Sequence, residues 1–222
     1  MGLGMGNEGG SRGMVVLAGG RSQRMGRDKA WLPVGDQPAV LRVVEVGLRA
    51  GVTVVVVGSP GRPLPPLPAG VERVDDPVGQ AYEGPLSGLA VGLRHLHSRG
   101  IALACVAPCD SLLMDVDHVR FVLDALQRSD ADAVVPVSEP RSDGRAQLHP
   151  LSGALRVSAA AVVAQSLLED GRRAAWALSE ALGAERIAVA ELPRPQVIQG
   201  HNTPQQWAAA VARLRAPHDD VD

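Results

Sequence analysis

Gly19, Gly20, Arg24, Gly26 and Lys29 follow one another directly after a short apolar run, Met14–Leu17, and residues of these types in this order suit the holding of phosphate. Glycines let the main chain approach a phosphate or a base edge closely, with backbone N–H groups free to point at the ligand. Arg24 and Lys29 supply the charge that a triphosphate needs. A lone Gly-Gly turn with solvated basic residues would need no ligand. A third glycine and two cations in the same strand-to-helix loop favour the ligand. The loop is not a Walker loop, because Lys29 follows Asp28 and the glycine spacing is wrong, and it does not match the GxGxxG dinucleotide fingerprint.

Carboxylates and cations elsewhere could complete such a site. Asp110 follows the apolar run Ile101–Val106 through Ala107-Pro108-Cys109, which places it at the carboxyl edge of a central strand. A hard cation bridging triphosphate oxygens needs an oxygen ligand there; a turn or helix-capping aspartate is the plainer reading. Asp75-Asp76-Pro77 ends another strand, where turn initiation before proline also accounts for the acids. Gly84-Pro85-Leu86-Ser87-Gly88 opens a helix with Pro85 near its first position, so free N–H groups there could meet an anion or a base; close packing would explain the glycines as well. His149 sits beside Pro150 in a strand-like segment, with no carboxylate at readable spacing to orient it. Arg172-Arg173 begins a helix beside Glu169-Asp170 and reads equally well as a solvated charge cluster.

The elements that must position these residues alternate along the chain. Met14–Leu17, Thr53–Val57, Val71–Val74, Ile101–Val106 and Ala133–Val137 read as strands, several apolar on consecutive positions, as in a parallel sheet buried on both faces. Val40–Ala50 ending at Gly51, Leu86–Arg99 ending at Gly100, and Asp115–Arg128 opening on a capping aspartate read as helices. The fold class expected is α/β, a Rossmann-like, mostly parallel doubly wound sheet with helices on both faces. Gly58–Gly70, with five prolines, reads as a surface connection. Further on, Leu148–Leu155 is expected as a strand, Val157–Leu168 and Ala174–Leu182 as helices, and Ile187–Glu191 as a return strand. Thr203-Pro204-Gln205-Gln206 should start the last helix with a capping box.

With 222 residues, 45% of them hydrophobic and 21% charged, the chain is long enough for one α/β core. The expected division is a flexible tail over residues 1–13, a single domain over 14–215 and a second tail over 216–222. A formal net charge of −2 gives no general electrostatic reason to bind nucleic acid or anionic lipid, so phosphate should be held locally. The glycine-rich start lacks the apolar core and basic leader of a signal peptide, and no run is long enough to span a membrane, so a cytoplasmic location is expected. Cys105 and Cys109 lack partners at metal-ligand spacing and read as reduced, partly buried thiols.

Leu17-Ala18-Gly19-Gly20 with Arg24-Met25-Gly26 and Asp28-Lys29 resembles the signature of the molybdenum-cofactor guanylyltransferases, the family often called MobA. Gly84-Pro85-Leu86-Ser87-Gly88, Pro108-Cys109-Asp110, His149-Pro150 and Asn202-Thr203-Pro204 resemble later motifs of that family in the same order, so the likeness runs from Met14 to about Leu214. It implies the nucleotide-diphospho-sugar transferase type of fold and Mg²⁺-dependent transfer of GMP from GTP to the phosphate of molybdopterin. The product would then pass to molybdoenzymes or cofactor-insertion proteins. Within that resemblance, Lys29, Arg24 and Asp110 are the catalytic residues and Asp110 the metal ligand. Leu17, Ala18, Gly19, Gly20, Lys29, Asp76, Gly84, Gly88 and Asp110 bind the nucleotide, while Arg172, Arg173, Asn202 and His149 bind the acceptor. Asp110 is expected to stand unpaired, and Lys29 to be solvent-accessible without ligand. Cytidylyl and sugar-phosphate transferases share the first motif and are the rival enzymes; Gly19-Gly20 and Gly84-Pro85-Leu86 favour GTP. A non-catalytic nucleotide-binding protein of the same descent is the rival of another class. The chain departs from the family at Gly58, where relatives often carry a polar side chain, and at Gly200-His201-Asn202, where Asn-x-Asn is usual.

Overall fold

The computed structural model describes residues 11–19, 28–76, 84–140 and 146–215. Its elements in chain order are β1 (Arg12–Leu17), β2 (Pro33–Val34), β3 (Gln37–Pro38), α1 (Ala39–Ala50), β4 (Thr53–Gly58), β5 (Glu72–Asp75), α2 (Pro85–Ser98), β6 (Leu103–Pro108), α3 (Val116–Arg128), β7 (Ala133–Ser138), β8 (Gln147–Leu148), β9 (Ala154–Arg156), α4 (Val157–Glu169), α5 (Ala175–Ala181), β10 (Glu185–Ala188) and α6 (Pro204–Arg215).

The main sheet runs β10-β7-β9-β6-β1-β4-β5, with β8 also paired to β7. β1 lies parallel to both β4 and β6, and β10 parallel to β7. The short β9 is antiparallel between β6 and β7. Consecutive apolar residues on the central strands follow from cover on both faces. Met14 and Val16 pack with Val40, Val43 and Val44 of α1 and Val119 and Val122 of α3. Val15 points the other way, into a layer with Leu89 and Leu93 of α2 and Ala160 and Ala164 of α4. The doubly wound arrangement expected from the alternation is therefore present. Among the described residues, no helix is long and apolar enough to cross a membrane.

Local chemistry ends the helices where the residue types predict. Gly51 takes a left-handed conformation at φ 79° and its N–H reaches the carbonyls of Gly47 and Leu48. Asp115 caps α3 by accepting from the His118 amide at 2.8 Å. At α6 the Gln206 amide donates to Thr203 Oγ1 at 3.2 Å, and Gln206 Oε1 accepts from the amides of Thr203 and Asn202 at 3.2 and 3.0 Å. This is the expected capping box.

Four expectations need correction. Leu148–Leu155 is not one strand: β8 and β9 are separated by a 3-10 turn over Pro150–Ser152, because proline fixes φ and brings no N–H to a ladder. The return strand is Glu185–Ala188, and Val189–Glu191 is a 3-10 turn in which Glu191 Oε1 accepts from the Ala188 amide at 3.1 Å. Arg172 and Arg173 lie in the connection before α5, which starts at Ala175. β1 begins at Arg12, inside the expected tail, where an ion pair with Asp124 at 2.7 Å anchors it on α3.

A third apolar cluster decides where α6 goes. Trp207 and Ala210 pack with Val34, Ala39, Leu112 and Leu113, and the Trp207 indole N–H donates to the Pro33 carbonyl at 3.3 Å. This docks α6 beside the β2–β3 hairpin and the segment that follows Asp110. Trp207, only 8% exposed, should cost about 3 kcal/mol when cut to alanine. Urea unfolding checks this, and a loss under about 1 kcal/mol would contradict the docking role.

Candidate active site

β4, β1 and β6 run side by side and end together, and their carboxyl ends form the floor of a cavity of about 360 Å³. Open α/β sheets bind ligands at this edge. Two backbone bonds carry the order past the strands: Ala18 N–H donates to Val57 O at 2.8 Å, and Cys109 N–H to Leu17 O at 2.9 Å. Leu17, Ala18, Gly19, Lys29, Asp76, Gly84, Gly88 and Asp110 all line this cavity, which unites the sequence-predicted nucleotide residues that lie within the described residues. Gly20 and Arg24 lie outside the described residues.

Lys29 begins a 3-10 turn, Lys29–Trp31, capped by Asp28, whose Oδ1 accepts from the Ala30 amide at 3.1 Å. The Lys29 ammonium donates to Asp110 Oδ2 and to Asn202 Oδ1, each at 2.6 Å. The side chains of Lys29 and Asp110 are only 16% and 12% exposed. Two expectations are thereby corrected: Asp110 is paired, and Lys29 is largely covered. The pairing follows from the strand edge, where the turn after β6 brings a carboxylate under the lysine of the glycine-rich loop. His201, 4% exposed, adds a bond from its Nδ1–H to the Asp110 carbonyl at 3.0 Å.

A divalent ion fits this donor set in a limited way. Among the described residues, no group of three or more His, Cys, Asp or Glu side chains forms a ready cage. Asp110 offers hard carboxylate oxygen at the cavity wall. That suits an ion such as Mg²⁺, which takes one or two carboxylates and completes its shell with phosphate oxygens and water.

Of the two adjacent acids, Asp75 turns outward to Arg73, with N–O distances of 2.8 and 3.0 Å, whereas Asp76 is 5% exposed and lines the cavity. Asp76 Oδ1 accepts from Ser87 Oγ at 3.3 Å in the first turn of α2. Burial raises its pKa above the ordinary aspartate value, outweighing the Ser87 hydrogen bond, and Asp75 adds to the rise. At Gly58, a Cβ would lie 2.7 Å from Asp75 Oδ1, so a side chain there would require the partly exposed Arg73–Asp75 pair to shift. Cys105 and Cys109 are free and buried, more completely than expected, with Cys109 at the cavity wall. Burial pushes the Cys105 thiol up to about 12 and the Cys109 thiol higher still, so neither is a nucleophile at neutral pH.

Gly84 caps α2 at φ 127°, and a Cβ on it would meet the Arg173 carbonyl at 2.6 Å. That carbonyl accepts from the Leu86 amide at 3.2 Å, so one first-turn N–H already has a protein partner. The Arg173 guanidinium donates to Leu168 O at 2.8 Å, and Arg172 stacks 5.3 Å from the Trp176 ring. His149 and Asn202 instead line a second cavity of about 410 Å³, with Gln147, Gln199 and Arg213. The expected acceptor set is thus divided, since the arginines line neither cavity among the described residues. His149 Nε2 bonds the Ser138 hydroxyl at 2.7 Å, an orienting partner that spacing along the chain did not reveal. His201, Arg213 and Gln147 were missed as well; the altered Asn-x-Asn stretch was the one signal that pointed near them.

The paired lysine and aspartate stand at the sheet edge where open α/β folds bind nucleotides and other ligands. The chain belongs to the family of the MobA-like NTP transferase domain, whose profile matches residues 14–186. It is 37% identical over 179 residues to a probable molybdenum cofactor guanylyltransferase of Mycobacterium tuberculosis, covering 80% of this chain and 83% of that one. A relative of the same name from Mycolicibacterium paratuberculosis is 33% identical over 204 residues, covering 91% and 95%. Among solved structures, molybdopterin-guanine dinucleotide biosynthesis protein A of Archaeoglobus fulgidus superposes with a TM-score of 0.70 at 19% identity over 91% of this chain and 98% of that one. The 2-C-methyl-D-erythritol 4-phosphate cytidylyltransferase of Thermus thermophilus gives 0.67 at 18% identity with the same coverages. These two likenesses establish the shared fold.

Of the carboxylates that line the cavity, Asp76 and Asp110 should respond to neutralisation with opposite signs. Asp110→Asn leaves a largely covered ammonium without its ionic partner and should lose about 1–2 kcal/mol. Asp76→Asn should melt higher than the parent at neutral pH, because the ionised carboxylate is carried at a cost above its raised pKa. As pH falls through that pKa the parent takes up a proton and the difference should close. Melting curves from pH 4 to 8 check both, and a stabilised Asp110→Asn or a destabilised Asp76→Asn would contradict the assignment of paired and unpaired acids.

Proposed function

We propose that this chain transfers GMP from GTP to the terminal phosphate of molybdopterin and releases pyrophosphate. The observation that carries the reading is the meeting of Lys29 and Asp110 over the carboxyl ends of β1 and β6, in a cavity bounded by Gly19, Asp76 and Gly88. The curated relatives named as probable molybdenum cofactor guanylyltransferases support the choice of nucleotide and acceptor.

An acceptor phosphate oxygen attacks the α-phosphorus in line; the new P–O bond forms as the α–β bridging bond breaks, and its electron pair leaves with pyrophosphate. The acceptor phosphate is already ionised at neutral pH, so no general base is needed, and positioning with charge neutralisation supplies most of the rate. Lys29, with Arg24, binds the β- and γ-phosphates and the departing pyrophosphate. Asp110 would hold Mg²⁺, which when bound neutralises charge on the triphosphate. Leu17–Gly20, Gly84 and Gly88 hold base and sugar, and Asp76 borders the same pocket. His149 and Asn202 stand on the acceptor side. Arg172 and Arg173 lie beside the start of α2, where Arg172 stacks on Trp176 and Arg173 donates to Leu168 O, and this reading gives them no part in the transfer.

Calorimetry with Mg²⁺ and GTP, CTP or ATP tests the nucleotide. GTP should bind at least about tenfold more tightly than the others, roughly 1.4 kcal/mol and within reach of one base-edge hydrogen bond. Equal affinities would remove the guanylyl assignment. Lys29→Ala should weaken GTP binding by about tenfold or more while remaining folded, and label from α-labelled GTP should appear in the molybdopterin product only with the parent lysine present. Binding without any transfer would favour the non-catalytic rival.

A further inference from the structure

We propose that His201 and Asn202 are positioning residues that hold the two members of the Lys29–Asp110 pair in register, and so link the second cavity to the first. The inference rests on the nucleotide reading above. Two consecutive residues grip both partners: Asn202 Oδ1 accepts from the Lys29 ammonium at 2.6 Å, and His201 Nδ1–H donates to the main-chain carbonyl of Asp110 at 3.0 Å. The bonds reach across 173 and 91 positions of sequence, so neither arises from local chain geometry.

The chemistry of each grip suits positioning. An amide oxygen is neutral, so Asn202 orients the ammonium without cancelling its charge, which a second carboxylate would do. His201 is almost wholly buried and holds the backbone of the turn that carries the Asp110 carboxylate. The dipeptide is itself fixed by α6, through the Asn202 amide bonded to Gln206 Oε1 and through Trp207 in the third apolar cluster. His201 and Asn202 also line the second cavity, so a ligand entering there touches the segment that orients the phosphate-binding lysine. The capping role of Asn202 runs through its backbone N–H and survives replacement of its side chain, which separates positioning from support of the fold.

The test is calorimetry of the full chain with magnesium pyrophosphate and with magnesium GTP, alongside turnover. Asn202→Ala should weaken both ligands about tenfold with the melting temperature unchanged. His201→Asn places an amide N–H where Nδ1 stood and should stay within about twofold of the parent. His201→Phe fills the same space without a donor; it should lower kcat about tenfold and change the GTP KM less than threefold. A parent that binds both ligands while Asn202→Ala binds them equally well, or while His201→Phe turns over like His201→Asn, overturns this inference alone. A parent that binds neither ligand overturns the nucleotide reading and this inference with it. The Asn202 arm decides the matter even where a variant at the buried His201 does not fold.

Discussion

The ion pair between Lys29 and Asp110 is the constraint on which the rest of the site depends. Two opposite charges lie 2.6 Å apart with little exposure, at an edge where three parallel strands end. Bringing them there costs desolvation that their attraction offsets only when both stay in place, so such a pair says less about stability than about use. Each partner comes from a different part of the chain: Lys29 from the turn after the glycine-rich loop, Asp110 from the end of β6. The sheet order, with β1 between β4 and β6, is what lets the two meet. A sheet that placed β6 elsewhere would leave a lysine without its carboxylate.

Among the described residues, Asn202 stands between the cavity that holds that pair and a second one, lining the second while bonding Lys29 of the first. The first is walled by backbone and small residues, Ala18, Gly19, Gly84 and Gly88, which suits close approach by a base or sugar. The second is walled by the amides of Gln147, Gln199 and Asn202, the His149 imidazole and the Arg213 guanidinium, which suits a polar ligand. The docking of α6 through Trp207 brings the second wall up to the first. Because the same fold serves a neighbour named as a cytidylyltransferase, the fold by itself leaves the choice of base open.

Much of this was legible in the residues because their local physics and their long-range roles agree. Val15, Val55 and Val106 read as strand and are strand, since residues buried on both faces leave apolar runs that few other elements produce. Gly51, Asp115 and Thr203-Gln206 mark helix ends by chemistry that acts within a turn or two. Asp76 rather than Asp75 entered the pocket as expected. What stayed hidden depends on distance: the Lys29–Asp110 bond spans 81 positions, and His201 reaches Asp110 through a backbone carbonyl that no residue type announces. For the Arg172-Arg173 pair, charge alone does not say which way a side chain turns; one guanidinium donates to Leu168 O and the other stacks on the Trp176 face. Pro150 marks the place where the expected strand divides, since the 3-10 turn Pro150–Ser152 begins on it.

The central claim is that Lys29 and Asp110 work as one unit on the triphosphate and its metal. A double-mutant cycle on magnesium GTP affinity with Lys29→Met, Asp110→Asn and the double variant measures this directly, since it isolates what each residue does through the other. The account predicts strong non-additivity, about 1 kcal/mol or more, with the double variant scarcely weaker than the worse single one. Effects that add within about 0.3–0.5 kcal/mol would mean that the two residues act independently, and would contradict the account.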